Sequence, residues 1–380
     1  MIFKLLFWAC FGTLIYVFFG FVVVLWVVSK LKHRPVQKRE IMPSVSMIIC
    51  AFNEEKHIRQ KIDNCLRVDY PKDRIEIIVV SDGSTDDTVR ILKSLDDTVI
   101  RIHRTGERQG KTECQNLAAG MAKNDVLFFT DATVLHPPEA LRLLLRSLHD
   151  PSVGCVTGKP VFNRDAGAAS QGLSKREKYE FYLRGKLGEV GSLFGAQDCM
   201  YVVPRKLYIP VRADLDGGFV GPLQLLERGY RTAYEPEALA FVDRPAPDIR
   251  DELIRRSRIA LRGMRGLFHM RRLMNPIEHG FVAVSLVSTR LLRWLTPVFL
   301  IMLFGSNLFL LGYPLFLFAF SFQVAFYVTA FAALLFARRG YQLAFPFYIP
   351  LYFCILVWSA TVGLKRLLVG ETGQMWETRR

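Results

Sequence analysis

Acidic residues are scarce in this chain: 35 Asp and Glu stand against 50 Lys and Arg over 380 residues, a formal net charge of +15. Cysteine is scarce too. The seven present, Cys10, Cys50, Cys65, Cys114, Cys155, Cys199 and Cys354, are scattered, and no pair has metal-ligand spacing. They are expected to be buried apolar fillers in a reducing compartment. No Gly-x-x-x-x-Gly-Lys run exists, so a P-loop ATPase is not supported. Long stretches lack charge altogether, and 51% of the residues are hydrophobic. A chain both apolar and basic fits a membrane protein with a basic cytoplasmic face better than a soluble enzyme. The cations gather beside the apolar runs and not on a separable basic domain, which argues against nucleic acid as a partner.

Residues 5–28 are 24 positions without a charge, enough at about 1.5 Å per residue to cross a hydrocarbon core of about 30 Å. A cleaved signal would have an apolar core of about 7–15 residues and a small-residue cleavage site. Here the run is longer, and Lys30, Lys32, Arg34, Lys38 and Arg39 follow it. Residues 1–29 are therefore expected to be a transmembrane anchor, with the chain cytoplasmic from residue 30. Residues 42–247 have ordinary soluble composition. Apolar character returns over residues 295–366. Residues 295–336 are 42 positions without a charge, room for two spans broken at Gly312-Tyr313-Pro314, and residues 341–364 add 24 more before Lys365-Arg366. Three such spans would put the tail, residues 367–380, outside, whereas Lys365-Arg366 and Arg379-Arg380 favour inside. A re-entrant or interfacial segment would reconcile the two. Residues 248–294 mix arginines with Leu, Ile, Phe and Trp294, as expected of amphipathic helices on the membrane surface. Their arginines would either grip anionic lipid or hold a pyrophosphate bidentately.

Within residues 42–247, short apolar runs alternate with helical patterns. Val45–Cys50 leads to Asn53, expected to cap a helix beginning near Glu54. Ile75–Val80 leads into Ser81-Asp82-Gly83-Ser84-Thr85. Val99–Ile102 precedes a glycine-containing loop and a helix from about Gly110 to Met121, and Val126–Phe129 leads into Asp131. This predicts an α/β domain with a mostly parallel sheet, plus transmembrane and interfacial helices. Asn53, Asp82 and Asp131 all fall at carboxyl ends of strands, where open α/β sheets bind ligands. Asp82 suits hydrogen bonds from a base or ribose, or the capping of its own turn. Asp131 suits a divalent cation through oxygen, or a turn of the same kind. Lys111, after Gly110, suits a phosphate.

Six segments in this order resemble the family 2 glycosyltransferases with a GT-A fold, of the membrane-integrated polysaccharide-synthase kind. They are Ala51-Phe52-Asn53-Glu54-Glu55, Val80–Asp86, Gly110-Lys111 with Asn116, Phe129–Thr133, Leu225–Arg231 with Tyr234-Glu235-Pro236, and Arg255–Gly263. The resemblance implies a nucleotide-sugar donor, UDP-sugar foremost, bound by Asn53, Glu54, Asp82, Lys111, Asp131, Arg255, Arg256 and Arg258. It also implies Mg²⁺ or Mn²⁺ on Asp131 and transfer with inversion. The acceptor would be lipid-linked or a growing polysaccharide, in cell-surface glycan synthesis. The catalytic domain would face the cytoplasm from a multi-pass inner-membrane protein, in contact with membrane lipid and with other glycan-synthesis subunits.

Two departures stand out. The second acidic residue of the family's metal motif is Thr133 here. The acidic pair that supplies the family's catalytic base is Gly217-Gly218, which leaves Asp216 and Asp214 just upstream as the expected base, carried into place by glycine's backbone freedom. Three functions are therefore weighed: an active transferase, a catalytically impaired transferase-like subunit that binds nucleotide sugar or scaffolds a partner, and a transporter with a nucleotide-binding domain. The uncharged spans carry no ionisable residue to mark a solute path, which counts against the last. The family's processive members usually carry a Gln-x-x-Arg-Trp motif. Gln and Trp are absent at Arg255–Ile259, which tilts toward single transfers or a polymerase of a divergent kind.

Overall fold

A computed structural model describes the chain except for residues 96, 164–167, 244–248, 340–344 and 372–380. The boundary expected at 247/248, the start of the third C-terminal apolar run and Arg379-Arg380 lie outside the described residues.

Eight strands form one sheet in the order β3-β2-β1-β4-β7-β6-β8-β5: β1 Val45–Ala51, β2 Ile75–Ser81, β3 Ile100–Arg104, β4 Val126–Asp131, β5 Val134–Leu135, β6 Val153–Asn163, β7 Met200–Pro204 and β8 Arg231–Asp243. The first four in spatial order are parallel, and β7 runs antiparallel to β4. Every residue of β1 is buried because helices cover both faces of the sheet. One apolar layer includes Met47, Ile49, Ile62, Val79, Phe128 and Leu144; the opposite layer includes Ile48, Val80, Cys114, Leu127 and Phe129.

Two expected starts move. The first helix is Ile58–Leu66, not one beginning near Glu54. Asn53 does not cap it: it is the one described non-glycine residue with positive φ, 52°, and its side chain reaches across to Thr85. Gly217 and Gly218 do not form a loop. They are the first residues of the helix Gly217–Glu227, and Asp216 is its cap, accepting the Phe219 amide at 3.1 Å.

Apolar helices near both ends frame this domain. Ile2–Leu31, Pro314–Arg338 and Pro346–Leu368 are each long and apolar enough to cross a membrane. The run expected to hold two spans divides unevenly. Thr296–Leu308 is only 13 residues, and with Phe281–Trp294 it makes a pair bent by 62°. Pro314, at the start of the next helix, has no amide to give to residues 309–313 and enforces the break. The amphipathic helix Ile249–His269 lies between the domain and these helices. A second core joins the parts: Phe21 and Leu25 of the first helix are buried with Leu187, Phe194, Val220, Leu223 and Leu267.

Candidate active site

The carboxyl ends of β1, β2 and β4 meet the start of the helix Lys111–Met121. Asp82, fully buried after β2, takes the Gln109 amide at 2.6 Å and the Gly110 amide at 3.1 Å on its two oxygens. It thereby staples the 105–110 loop in place. Gly110, at φ 95°, then turns the chain into the helix, so the helix N-terminus and Lys111 open on the strand ends. Asn53 Oδ1 accepts the Thr85 amide at 2.9 Å, and the Glu54 amide donates to Thr88 Oγ1 at 2.8 Å. The guanidinium of Arg108 lies 3.7 Å over the Phe52 ring.

Lys111 Nζ sits 2.6 Å from Asp131 Oδ1 and 3.5 Å from Asp198 Oδ2. Burial alone would lower the Lys111 pKa, but Asp131 and Asp198 reverse that and raise it, so the ammonium is held charged. Sequence reasoning missed Asp198. It lies in the Gly195–Cys199 turn ahead of β7, not at the carboxyl end of a strand, the feature that singled out Asp82 and Asp131. Its carboxyl is pushed up to about 6, by burial first and by repulsion from Asp216 and Asp131, against the pull of Lys111. A Cβ on Gly218 would overlap Asp198 Oδ1 and come 3.0 Å from its carboxyl carbon; one on Gly217 would come 2.8 Å from Gln115 Oε1. The two glycines are therefore sites of close approach.

The other predicted residues are placed differently. Asp214 is buried and accepts from Arg212 at 3.0 and 2.9 Å and from Arg265 at 2.6 Å. Burial opposes its ionisation, but these arginines hold its carboxyl below the usual range. Arg255 and Arg256 both pair with Glu252, and Arg256 also reaches Tyr352 on the last apolar helix. Two arginines of this helix reach the domain: Arg265, through Asp214, and Arg262, which donates to Thr112 Oγ1 at 2.9 Å and to the Leu215 carbonyl. Behind β4, the wholly buried Lys61 donates to Thr130 Oγ1 at 2.8 Å and to the Val134 carbonyl at 2.6 Å, and meets His136 Nε2 at 3.1 Å. Burial lowers the pKa of both groups, and Lys61 adds to the effect on His136.

Among the described residues, no three His, Cys, Asp or Glu side chains are grouped to hold a metal. The one carboxylate that ends a strand here, Asp131, is a hard oxygen donor, suited to Mg²⁺ or Mn²⁺ and not to a soft ion. A cation here would complete its coordination with oxygens of a bound diphosphate and water.

The glycosyl transferase family 2 pattern matches residues 46–208, which contain Asn53, Asp82, Lys111, Asp131 and Asp198. A probable glycosyltransferase, YdaM, of Bacillus subtilis is 36% identical over 126 residues, 31% of this chain and 30% of that protein. The poly-beta-1,6-N-acetyl-D-glucosamine synthase of Staphylococcus aureus is 25% identical over 225 residues, 56% of this chain and 53% of that one. The matches thus span about a third and about half of the length of these relatives. Among solved structures, the mannosyltransferase PcManGT from Pyrobaculum calidifontis, in complex with GDP-Man and Mn²⁺, superposes with a TM-score of 0.70 over 96% of this chain and all of that one, at 20% identity. The fold is a GT-A domain with apolar helices near both ends, and the chain carries a family 2 glycosyltransferase domain.

Proposed function

We propose that the protein moves a sugar from a nucleotide-sugar donor, a UDP- or GDP-sugar, to a lipid-linked or polysaccharide acceptor at the cytoplasmic face of a membrane, with inversion at C1. One observation carries this: a charged Lys111, at the N-terminus of a helix, bridges Asp131 and Asp198 at the carboxyl ends of a parallel sheet. That is a place for a diphosphate leaving group, with helix amides and an ammonium on one side and a carboxylate for a cation on the other.

In this mechanism Asp82 holds the 105–110 loop so that the Gly110–Lys111 turn is formed before donor arrives. Lys111 faces the diphosphate oxygens and offsets the charge they gain as the bond to C1 breaks. Asp131 would hold Mg²⁺ or Mn²⁺, which when bound supplies further charge stabilisation to the leaving group. Asn53 and Glu54 fix the nucleotide side of the cleft through the Ser84–Thr88 turn. Arg255, Arg256 and Arg258 lie on the same helix as Arg262, and would meet an anionic group where this helix faces lipid.

The test is product mass after incubating the purified protein, in lipid nanodiscs, with a panel of UDP- and GDP-sugars. A glycosylated lipid or oligosaccharide is expected, and Asp131→Asn should abolish it. The Gly217-Gly218 pair supports a second reading, a transferase-like subunit that binds donor without chemistry. Donor binding with neither transfer nor hydrolysis would establish it in place of the first.

A further inference from the structure

We propose that Asp198 is the general base that deprotonates the acceptor hydroxyl; this rests on the transferase activity proposed above. The chemistry requires one proton acceptor. The acceptor O–H loses its proton to a carboxylate, its oxygen forms a bond to C1, and the bond from C1 to the diphosphate breaks, with the electron pair leaving on the nucleoside diphosphate. Of the carboxylates around this end of the sheet, Asp82 is taken up by two backbone amides, and three others have other work. Asp131 takes Lys111 at 2.6 Å. Asp214 is closed off by Arg212 and Arg265. Asp216 caps its helix through the Phe219 amide. Among the described residues, Asp198 has one ion pair, the longer approach of Lys111 at 3.5 Å, and its side chain is 39% exposed, so it can receive a proton from a bound molecule.

The glycines point the same way. Glycine is a poor helix former, so two in succession at the start of Gly217–Glu227 need a reason. At Gly218 the reason is Asp198: any side chain there would occupy the space of its carboxylate. The Ala196 amide donates to the Gly218 carbonyl at 2.7 Å, which locks the turn bearing Asp198 against that helix. Asp198 thus places its carboxylate in the space that a side chain at Gly218 would fill.

The experiment compares Asp198→Asn, Asp198→Ala and the exchange Asp198→Gly with Gly218→Asp, each in nanodiscs with the donor that the wild type uses. Asp198→Asn should lose about 10²–10⁴-fold in kcat while its affinity for the nucleoside diphosphate does not fall, which also reports that the fold is intact. Added formate should restore part of the activity of Asp198→Ala, and the exchange variant should exceed Asp198→Gly alone. Transfer by Asp198→Asn at the wild-type kcat would overturn the assignment and leave the transferase reading standing. A wild type that binds donor but never transfers would overturn both.

Discussion

Asp82 is a residue whose two plausible roles, ligand contact and turn staple, lead to different losses. Both its oxygens accept backbone amides, from Gln109 and Gly110. Asp82→Ala strands the buried Gly110 amide, at about 1–3 kcal/mol, and frees the more exposed Gln109 amide. The expected outcome is a lower melting temperature and faster proteolysis within residues 105–110, with donor affinity reduced as a consequence. An unchanged cleavage rate would refute the staple. Lys111→Met makes a different prediction. It removes a charged donor without touching the loop, so nucleoside diphosphate affinity should fall roughly tenfold to a hundredfold, the equivalent of a charge-assisted hydrogen bond of about 1.5–3 kcal/mol. Titration calorimetry would check this, and a Kd within error of the wild type would remove Lys111 from the donor site. The sequence placed Asp82, Lys111 and Asp131 at strand or helix ends because each follows an apolar run or a glycine. Asp198 had no such marker. Its partners are contributed by residues 111 and 218, and only the closed sheet brings them within reach.

At the scale of elements, the parallel half of the sheet was legible and the other half was not. Strands β1, β2 and β4 are mostly apolar runs, with polar residues such as Ser46 and Glu76 inside them, because both their faces are covered. In β6 the pattern is interrupted by Gly154, Gly158 and Pro160, and in β8 by Glu235, Pro236 and Glu237. These strands are specified by tertiary partners more than by local preference. One such partner is the ion pair that fastens β8. Arg231 donates to Asp150 at 2.6 Å and to the carbonyls of Arg34 and Pro35, so the segment after the first apolar helix is tied to the sheet. Burial works against Asp150, but hydrogen bonds from Ser152, Arg231 and Gln37 lower its pKa to about 2. An Asp in an unfolded chain titrates near 3.9. The folded value lies below this, so the stabilisation, roughly 2 kcal/mol, is complete above about pH 4 and is lost as the pH falls toward 2. Melting curves over that range should show wild type and Asp150→Asn converging in acid and separating at neutral pH. A constant separation would mean that Asp150 contributes through shape and not through charge.

For the molecule as a whole, the decisive contact is the one between the first apolar helix and the helix that begins at Gly217. Composition divided the chain into a soluble middle and apolar ends, and so suggested an anchor joined to an independent enzyme. The packing joins them. Phe21 and Leu25 share one buried cluster with Val220 and Leu223 of Gly217–Glu227 and with Leu267 of the amphipathic helix. That same helix presents Gly218 to Asp198. Removing the side chains at two fully buried positions, with Phe21→Ala and Leu25→Ala together, should cost several kcal/mol by the usual expense of core truncation, about 2–5 kcal/mol each. The loss should fall on the Gly217 helix and not on the distant β1–β4 core, since the latter's apolar layers are separate clusters. Hydrogen exchange in nanodiscs would resolve the two: faster exchange confined to residues 217–227 and 261–273, with amides of β1 and β4 unchanged, is the expected pattern. Transfer should then fail while donor binding at Lys111 persists, because the leaving-group half of the site belongs to the sheet and the acceptor half to the helix held by the membrane segment. Uniform deprotection, or none, would show that the first helix is a tether only.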